Sequence, residues 1–248
     1  MTTVLPVAAD GHVIAAPDGR PAVVPSGWLA DAGRATVRID ADLTAVRVSD
    51  QELARVAGQA GGEIVDWHLF AGDRVVAKAV ALLRNRDRVR FDPADGAELA
   101  YDADGVVARG GATHKLFPRI DPAVIGLVTL AGEEKILLGR NRRRRYFSLV
   151  AGYVDSGENL EEAFAREVLE ETGRRVRDLA YWGSQPWPVT GSLMMAFTAV
   201  TDDYDAVAAT DGELAEIRWA DRRDLDRLPI ARPGSIANRL INEWRDRH

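Results

Sequence analysis

The chain contains no cysteine. Disulfide bonds and thiolate-held zinc are therefore excluded, and nothing points to an oxidising compartment. No apolar run is long enough to cross a bilayer. The first ten residues lack a basic segment followed by a long apolar stretch, so no signal peptide is expected and the cytoplasm is the expected location. A basic surplus is missing as well. The formal net charge is −6, so no global field draws the chain to nucleic acid or to a membrane. Internal repeats and low-complexity tails are absent. What is left is an ordinary globular composition over 248 residues, enough for one large domain or two small ones.

The stretch from Gly152 to Gly173 organises the rest. Glu158 and Asn159 stand where a helix would open, and acidic groups there suit the helix dipole. Leu160, Phe164 and Val168 recur every four residues and form a buried stripe. Gly173 is a stop signal. Glu167, Glu170 and Glu171 stand at i, i+3 and i+4, so they share one face. Three carboxylates on one face suit a hard divalent cation. They also suit a merely solvated face, because exposed like-charge neighbours cost only about 0.2–0.5 kcal/mol. Arg166 beside them is either a bidentate clamp or an ordinary surface arginine.

The same stretch resembles the Nudix box: Gly152, five residues, Glu158, seven residues, Arg166-Glu167, an apolar residue, one residue, Glu170-Glu171, one residue, Gly173. The single departure is Arg174, where that family has an apolar residue. A match at so many fixed positions is specific.

Along the chain, residues 1–34 are broken by Pro6, Pro17, Pro21 and Pro25 and read as short strands and turns. Residues 35–40 and 44–48 alternate as half-buried strands do. Ser49 and Glu52 form the signature of a capping box. Residues 63–70 read as a strand, and Asp73 caps a helix to about Arg86 with Val76, Ala77, Val80 and Leu83 inward. Asp66, His68 and Asp73 are read as structural. Two turns, at 91–96 and 102–105, frame a small hairpin. From about residue 120 the pattern is strand, hairpin turn, strand, the basic run Arg140 and Arg142–Arg145, and a strand at 146–151. After the central helix come strands at 179–185, 193–200 and 217–219 and a last helix beyond Pro233-Gly234. The expected fold is α/β: a mixed α/β/α sandwich preceded by a smaller α+β domain.

Ser184-Gln185-Pro186-Trp187-Pro188 reads as a Pro-rich turn. Placed just after the box, it is similar to the marker of the NADH pyrophosphatase family within the Nudix enzymes. Val189-Thr190 departs from that marker and Ser192 fits it. The resemblance spans roughly residues 88–248. It implies a division into an N-terminal α+β domain at 1–87, a zinc-ribbon-like module at 88–118 and a Nudix hydrolase domain at 119–248. Where the family carries four ribbon cysteines, this chain has Asp92, Asp95, Arg109 and Ala112. That set cannot form a thiolate site, so a metal-free ribbon held by apolar residues is expected, without structural zinc. His114 is read as an ordinary surface residue.

The resemblance also implies the chemistry, which is Mg²⁺- or Mn²⁺-dependent hydrolysis of NAD(H) to nicotinamide mononucleotide and AMP. Glu167, Glu170 and Glu171 would be metal ligands, with Arg166 in the same catalytic face. Glu213 would be a further ligand or act near the phosphate, with Glu216 the weaker candidate. Glu158 is either a ligand or a brace for the loop. Phe117 and Tyr153 resemble the family's stacking pair, contributed by different subunits, so a homodimer is expected. Gln185 would bond the ligand, while Ile125 and the backbone near Ala237 would line the pocket. The arginine run is a solvated loop or a phosphate site for RNA bearing NAD at its 5′ end. The alternatives are a Nudix hydrolase for another nucleoside diphosphate compound such as ADP-ribose, and a non-catalytic nucleotide sensor.

Overall fold

The structure is a computed structural model and describes residues 2–30, 34–111 and 114–247. It divides into two compact units. The first takes in residues 1–120 and 187–191, the second residues 121–186 and 192–248. The expected boundary after residue 118 therefore falls two residues later. The segments 1–87 and 88–118 share one unit.

In the first unit, strands β1 (Thr3–Val7), β2 (Val13–Ala15), β3 (Val24–Pro25), β4 (Thr36–Arg38) and β5 (Leu43–Arg47) precede helix α1 (Asp50–Ala60). Strand β6 (Glu63–Val65) and helix α2 (Arg74–Arg88) follow. The main sheet runs β3-β1-β5-β4, with β1 and β5 parallel, and β2 pairs with β6 separately. Alternation along the strands divides the core, because successive side chains point to opposite faces. Leu5, Val7, Val37 and Ala45 meet Val76, Ala79, Val80 and Leu83 of α2. Val4, Val46 and Val48 meet Leu53, Val56 and Ala57 of α1. Asp73 caps α2 by accepting from the N–H groups of Val75 and Val76.

Two expectations need correction here. The strand proposed over 63–70 stops at Val65, and Trp67–Phe70 turns as a short 3-10 helix. Asp66 accepts the His68 N–H and fixes that turn, while Trp67 and Phe70, three apart, are buried on its inner side. The capping box of α1 is only half made. Ser49 accepts from the Glu52 N–H, but the Glu52 carboxylate instead takes the Ala30 N–H at 2.9 Å and pairs with Arg34 and Arg55.

Residues 88–118 contain the expected hairpin, β7 (Ala100–Tyr101) with β8 (Ala108–Arg109), and a third strand, β9 (Lys115–Leu116), pairs with β8. The hairpin is tied to the N-terminal sheet by the Arg38 N–H on the Asp104 carbonyl and by the Arg38–Asp104 ion pair. Gly105 has no room for a side chain, since a Cβ would lie 2.0 Å from the Thr36 carbonyl oxygen. Asp92 and Asp95 each accept an N–H two residues ahead, from Ala94 and Ala97. They build the turn as Asx caps. Ala112 lies outside the described residues.

The second unit contains β10 (Asp121–Leu130), β11 (Ile136–Asn141), β12 (Val150–Tyr153), α3 (Leu160–Thr172), β13 (Arg177–Trp187), β14 (Ser192–Thr201), β15 (Leu214–Ala220) and α4 (Ile236–Asp246). The sheet order is β13-β14-β10-β11-β15, with β12 paired to the first half of β10. The strand expected at 146–151 is thus displaced to Val150–Tyr153. Phe147 and Ser148 make only single bridges, to Ile230 and Gly139. The expected Pro-rich turn is also displaced, because β13 continues through Trp187 and the turn follows it, closed by the Gly191 N–H on the Trp187 carbonyl.

Helices cover both faces of this sheet, as expected of an α/β/α sandwich. Val124, Val128, Leu137 and Phe197 pack with Ala163, Phe164 and Val168 of α3. Ile125, Leu127, Leu138 and Ala196 pack with Ile236, Leu240 and Ile241 of α4. Gly126 lets α3 sit flush on β10: a Cβ there would lie 2.2 Å from the Phe164 ring.

Candidate active site

Strand β12 delivers Gly152 and Tyr153 to the mouth of the loop that opens α3. The loop is closed on itself, with the Asp155 N–H donating to Glu158 Oε2 at 3.0 Å and the Glu158 N–H to the Asp155 carbonyl at 3.1 Å. The helix then starts on a complete capping box. Asn159 Oδ1 accepts the Glu162 N–H at 2.9 Å, and the Glu162 carboxylate accepts the Asn159 N–H at 3.0 Å. It ends at Gly173, left-handed at φ 70°. A Cβ at Gly173 would lie 2.4 Å from the Ala208 carbonyl oxygen. That close contact admits the hydrogen bonds of Val207 and Ala208 to the Gly173 carbonyl and of Asp211 to the Glu170 carbonyl. They bring the turn carrying Asp211 and Glu213 to the end of the acidic helix.

Arg166 is a clamp, not a surface arginine. Its Nε donates to Glu158 Oε1 at 2.6 Å and its Nη2 to Glu158 Oε2 at 2.9 Å. Nη1 donates to Glu167 Oε1 and Glu170 Oε2, both at 2.9 Å, and Nη2 also reaches the Tyr153 carbonyl at 3.0 Å. One guanidinium thus braces three glutamates and the end of β12. Glu158 braces the loop, and the Arg166 bond first, then the Asp155 N–H, holds its carboxyl below the usual range.

Glu167 and Glu171 face the other way energetically. Burial pushes the Glu167 carboxyl up, the Arg166 contacts offset part of that, and the charges of Glu170 and Glu213 add to the rise. Glu171 is 4% exposed. Burial, then the charges of Glu213, Glu167 and Asp211, push it up to about 8, with Arg144 easing it slightly. No described residue donates a hydrogen bond to its carboxylate. Gly152 is part of the same construction. The Glu167 carboxyl carbon lies 1.9 Å from where a Cβ would stand, so only glycine leaves that acid its seat.

The donor set is all carboxylate oxygen and short of positive charge, which fits a hard divalent cation. Glu167, Glu170, Glu171 and Glu213 are gathered but not drawn into a finished sphere. Among the described residues, no group of three acidic or imidazole side chains converges on one point.

The pattern of glycines, clamp and carboxylates meets an independent finding. Residues 120–238 match the NUDIX domain. The chain is 38% identical over 200 residues to a protein of Mycobacterium bovis (strain BCG / Pasteur 1173P2) named NAD-capped RNA hydrolase NudC, covering 74% of this chain and 63% of that one. A Salmonella paratyphi C protein of the same name is 43% identical over 132 residues, covering 52% of this chain and 49% of that one. The chain thus spans less than two thirds of the length of these curated relatives. A solved Nudix hydrolase from Nitrosomonas europaea superposes with a TM-score of 0.50 at 23% identity, covering 64% of this chain and 91% of that one. That likeness concerns the fold.

The remaining expected site residues divide. Tyr153 is 52% exposed, and the Ser192 hydroxyl donates to its Oη at 3.3 Å. Phe117 is 69% exposed and belongs to the first unit. Gln185 is already employed: its Nε2 donates to the Gly234 carbonyl at 2.8 Å and its Oε1 accepts the Ile236 N–H at 2.7 Å. It fixes the start of α4. Ile125 and Ala237 are buried together in the core beneath α4. Glu216 pairs with Arg140 and Arg218 along the sheet and does not join the acidic face. The departure at Arg174 is compensated. Its guanidinium donates to the carbonyls of Thr172 and Tyr204 and lies 5.5 Å from the Trp219 ring centre. It takes up carbonyls at the helix end that an apolar residue would leave to the packing. Asp211 was missed by sequence reasoning, although the Asp211-Gly212 pair was a legible turn signal.

Proposed function

We propose that this chain hydrolyses the diphosphate bond of NAD(H), giving nicotinamide mononucleotide and AMP, and removes NAD caps from RNA. The observation that carries the reading is Glu171, a nearly buried carboxylate with no described donor, on a helix face braced by Arg166. The relatives' shared name supports the substrate class. Glu167, Glu170 and Glu171 with Glu213 would hold Mg²⁺ or Mn²⁺, which would supply positive charge against the diphosphate oxygens and acidify water.

The chain's own residues do the rest. Arg166 keeps Glu167 and Glu170 from swinging away, and Glu158 keeps Arg166 in place. Gly152 leaves room for the Glu167 carboxyl. Water oxygen bonds to one phosphorus as the bridging P–O bond breaks, and a carboxylate of this face takes the proton released. The exposed rings of Tyr153 and Phe117 offer flat surfaces for the nicotinamide or adenine, in a homodimer that supplies one from each subunit. The module at 88–118 works without structural zinc, as Asp92 and Asp95 in place of thiolates support.

Turnover of NADH, NAD and ADP-ribose with Mg²⁺, read by separating the nucleotide products, tests the proposal. Faster cleavage of NADH than of ADP-ribose is the expected result. Equal or greater activity on ADP-ribose overturns the substrate assignment, and no activity on any of them leaves a nucleotide-sensing role.

A further inference from the structure

Arg84, on helix α2 of the first unit, is half-buried, and its Nε is closed off from solvent with no acceptor. Among the described residues, none accepts a hydrogen bond from its guanidinium or forms an ion pair with it. The other buried or half-buried arginines that are described all have acceptors. Arg86, on the same helix, donates to the Thr36 carbonyl at 2.7 Å. Arg34, Arg140 and Arg245 pair with acids, and Arg166, Arg174 and Arg222 reach acids or carbonyls. A charge taken out of water is costly unless it is paired, so an arginine left this way in the fold asks for an anion.

Its neighbours deepen the imbalance. Burial first, then the charges of Arg88 and Arg47, hold the Arg84 guanidinium below its ordinary range, and Asp87 offsets only part of that. Arg88 lies four residues on, on the same face of the helix, where like charges repel. Arg47 comes from the carboxyl end of β5. Its Nη1 donates to the carbonyls of Val7 and Ala8, its Nη2 to Asp87 Oδ2 at 2.6 Å, and its own Nε is buried without an acceptor. Asp87 is therefore spent on Arg47. Three guanidinium groups against one carboxylate leave a surplus of two positive charges, on a chain whose net charge is −6. The helix dipole accounts for Arg88, which stands in the last turn of α2. Its effect fades beyond that turn and does not account for a half-buried Arg84.

We propose that Arg84 and Arg88 bind a small phosphate dianion, free or as a monoester, with Arg47 as the positioning group behind them. A phosphate group carries about −1.5 to −2 charges at pH 7, which matches the surplus, and guanidinium forks take its oxygens in pairs. A chloride or a carboxylate carries only one charge. The site belongs to the first unit and does not rest on the hydrolase reading. Its test uses the full chain in chelator, so that phosphate held through a metal does not contribute. Calorimetric titration with inorganic phosphate should show saturable binding in the wild type. Affinity should fall at least tenfold in Arg84→Met and at least threefold in Arg88→Ala, an exposed position. Arg86→Met, two residues from Arg84, should keep the wild-type affinity. Thermal melts add a readout that a structural contact would move the other way. Without phosphate, Arg84→Met should melt at or above the wild type, because an unpaired charge has been removed. With phosphate, the wild type should gain stability and Arg84→Met should not.

Equal phosphate affinity in the wild type and Arg84→Met overturns the proposal. So does a loss of stability in Arg84→Met without phosphate, which would make the arginine a contact of the fold. Chloride displacing phosphate at equal concentration also overturns it. AMP and adenosine separate the two sources of the phosphate group. AMP binding at least tenfold tighter than inorganic phosphate, with the gain lost in Arg84→Met, identifies a nucleotide monoester. Equal affinities for AMP and inorganic phosphate identify the free ion. Adenosine binding as tightly as AMP would show that the phosphate is not what is recognised, and the proposal would fail.

Discussion

Glu52 and Glu171 are the two glutamates among the described residues with less than a tenth of their surface exposed, at 8% and 4%. Each sits on a helix packed against a sheet, one in each unit. Burial pushes the Glu52 carboxyl up, but the Ala30 N–H, then Arg34 and Arg55, outweigh it and hold the group below its usual range. Around Glu171 the neighbours are other acids, and the group rises to about 8. A buried charge is tolerated when paired and is costly when not. Glu52 is therefore a structural contact, held by one backbone N–H and two guanidinium groups. Glu171 is a local deficit of positive charge, set among Glu213, Glu167 and Asp211. The contrast separates an acid paired within the fold from one set among other acids, which burial alone does not.

The contrast can be broken most sharply by substitution. Glu171→Gln should lower NADH turnover on the order of 10³-fold, with a melting temperature equal to or above that of the wild type in chelator. Glu52→Gln should leave turnover within about twofold and cost about 1–3 kcal/mol of stability in urea unfolding. The reverse pattern would exchange the roles assigned to the two residues.

A smaller effect is expected from Gly152→Ala. The new methyl would collide with the Glu167 carboxyl and displace it, and displacements of about 1 Å in such sites cost roughly 10²-fold. Steady-state kinetics should show the loss in kcat, while far-UV circular dichroism stays that of the wild type. An alanine variant of full activity would mean the Glu167 position is irrelevant.

The mildest consequence is in pH dependence. Glu52 has a folded pKa below its ordinary 4.5, so its stabilisation is present above about that pH and is lost as pH falls through the folded value. Glu171, raised from 4.5 to about 8, acts in the opposite sense in metal-free protein. It costs nothing below 4.5, and stability declines as pH rises from there to about 8, then levels. Thermal melts in chelator should show Glu52→Gln flattening the acid limb and Glu171→Gln flattening the decline towards pH 8. Identical profiles for the two variants would contradict this.

Much of the second unit was legible because its signals are local. Asn159, Gly173 and the Leu160, Phe164, Val168 stripe delimit α3, and the apolar run at 124–130 marks β10. The acidic face follows from spacing alone. The less legible parts are those whose partners are distant in the chain. Gln185 is spoken for by Gly234 and Ile236, about fifty residues on, and no local pattern announces that. The displacement of β12 arises because β10 takes Val150–Tyr153 as its partner while Phe147 is drawn to Ile230. Arg174 looked like a packing fault until Tyr204 and Trp219 were seen beside it. In the first unit, Asp66 turned a β-prone stretch into a 3-10 helix through a single side-chain cap.

The claim beneath all of this is that the acidic face of α3 holds a divalent cation through Glu171. Calorimetric titration of Mn²⁺ into metal-free wild-type, Glu171→Gln and Glu52→Gln proteins addresses it directly. The account predicts saturable binding in the wild type and in Glu52→Gln, weakened at least tenfold in Glu171→Gln. Binding of equal strength in all three would contradict it.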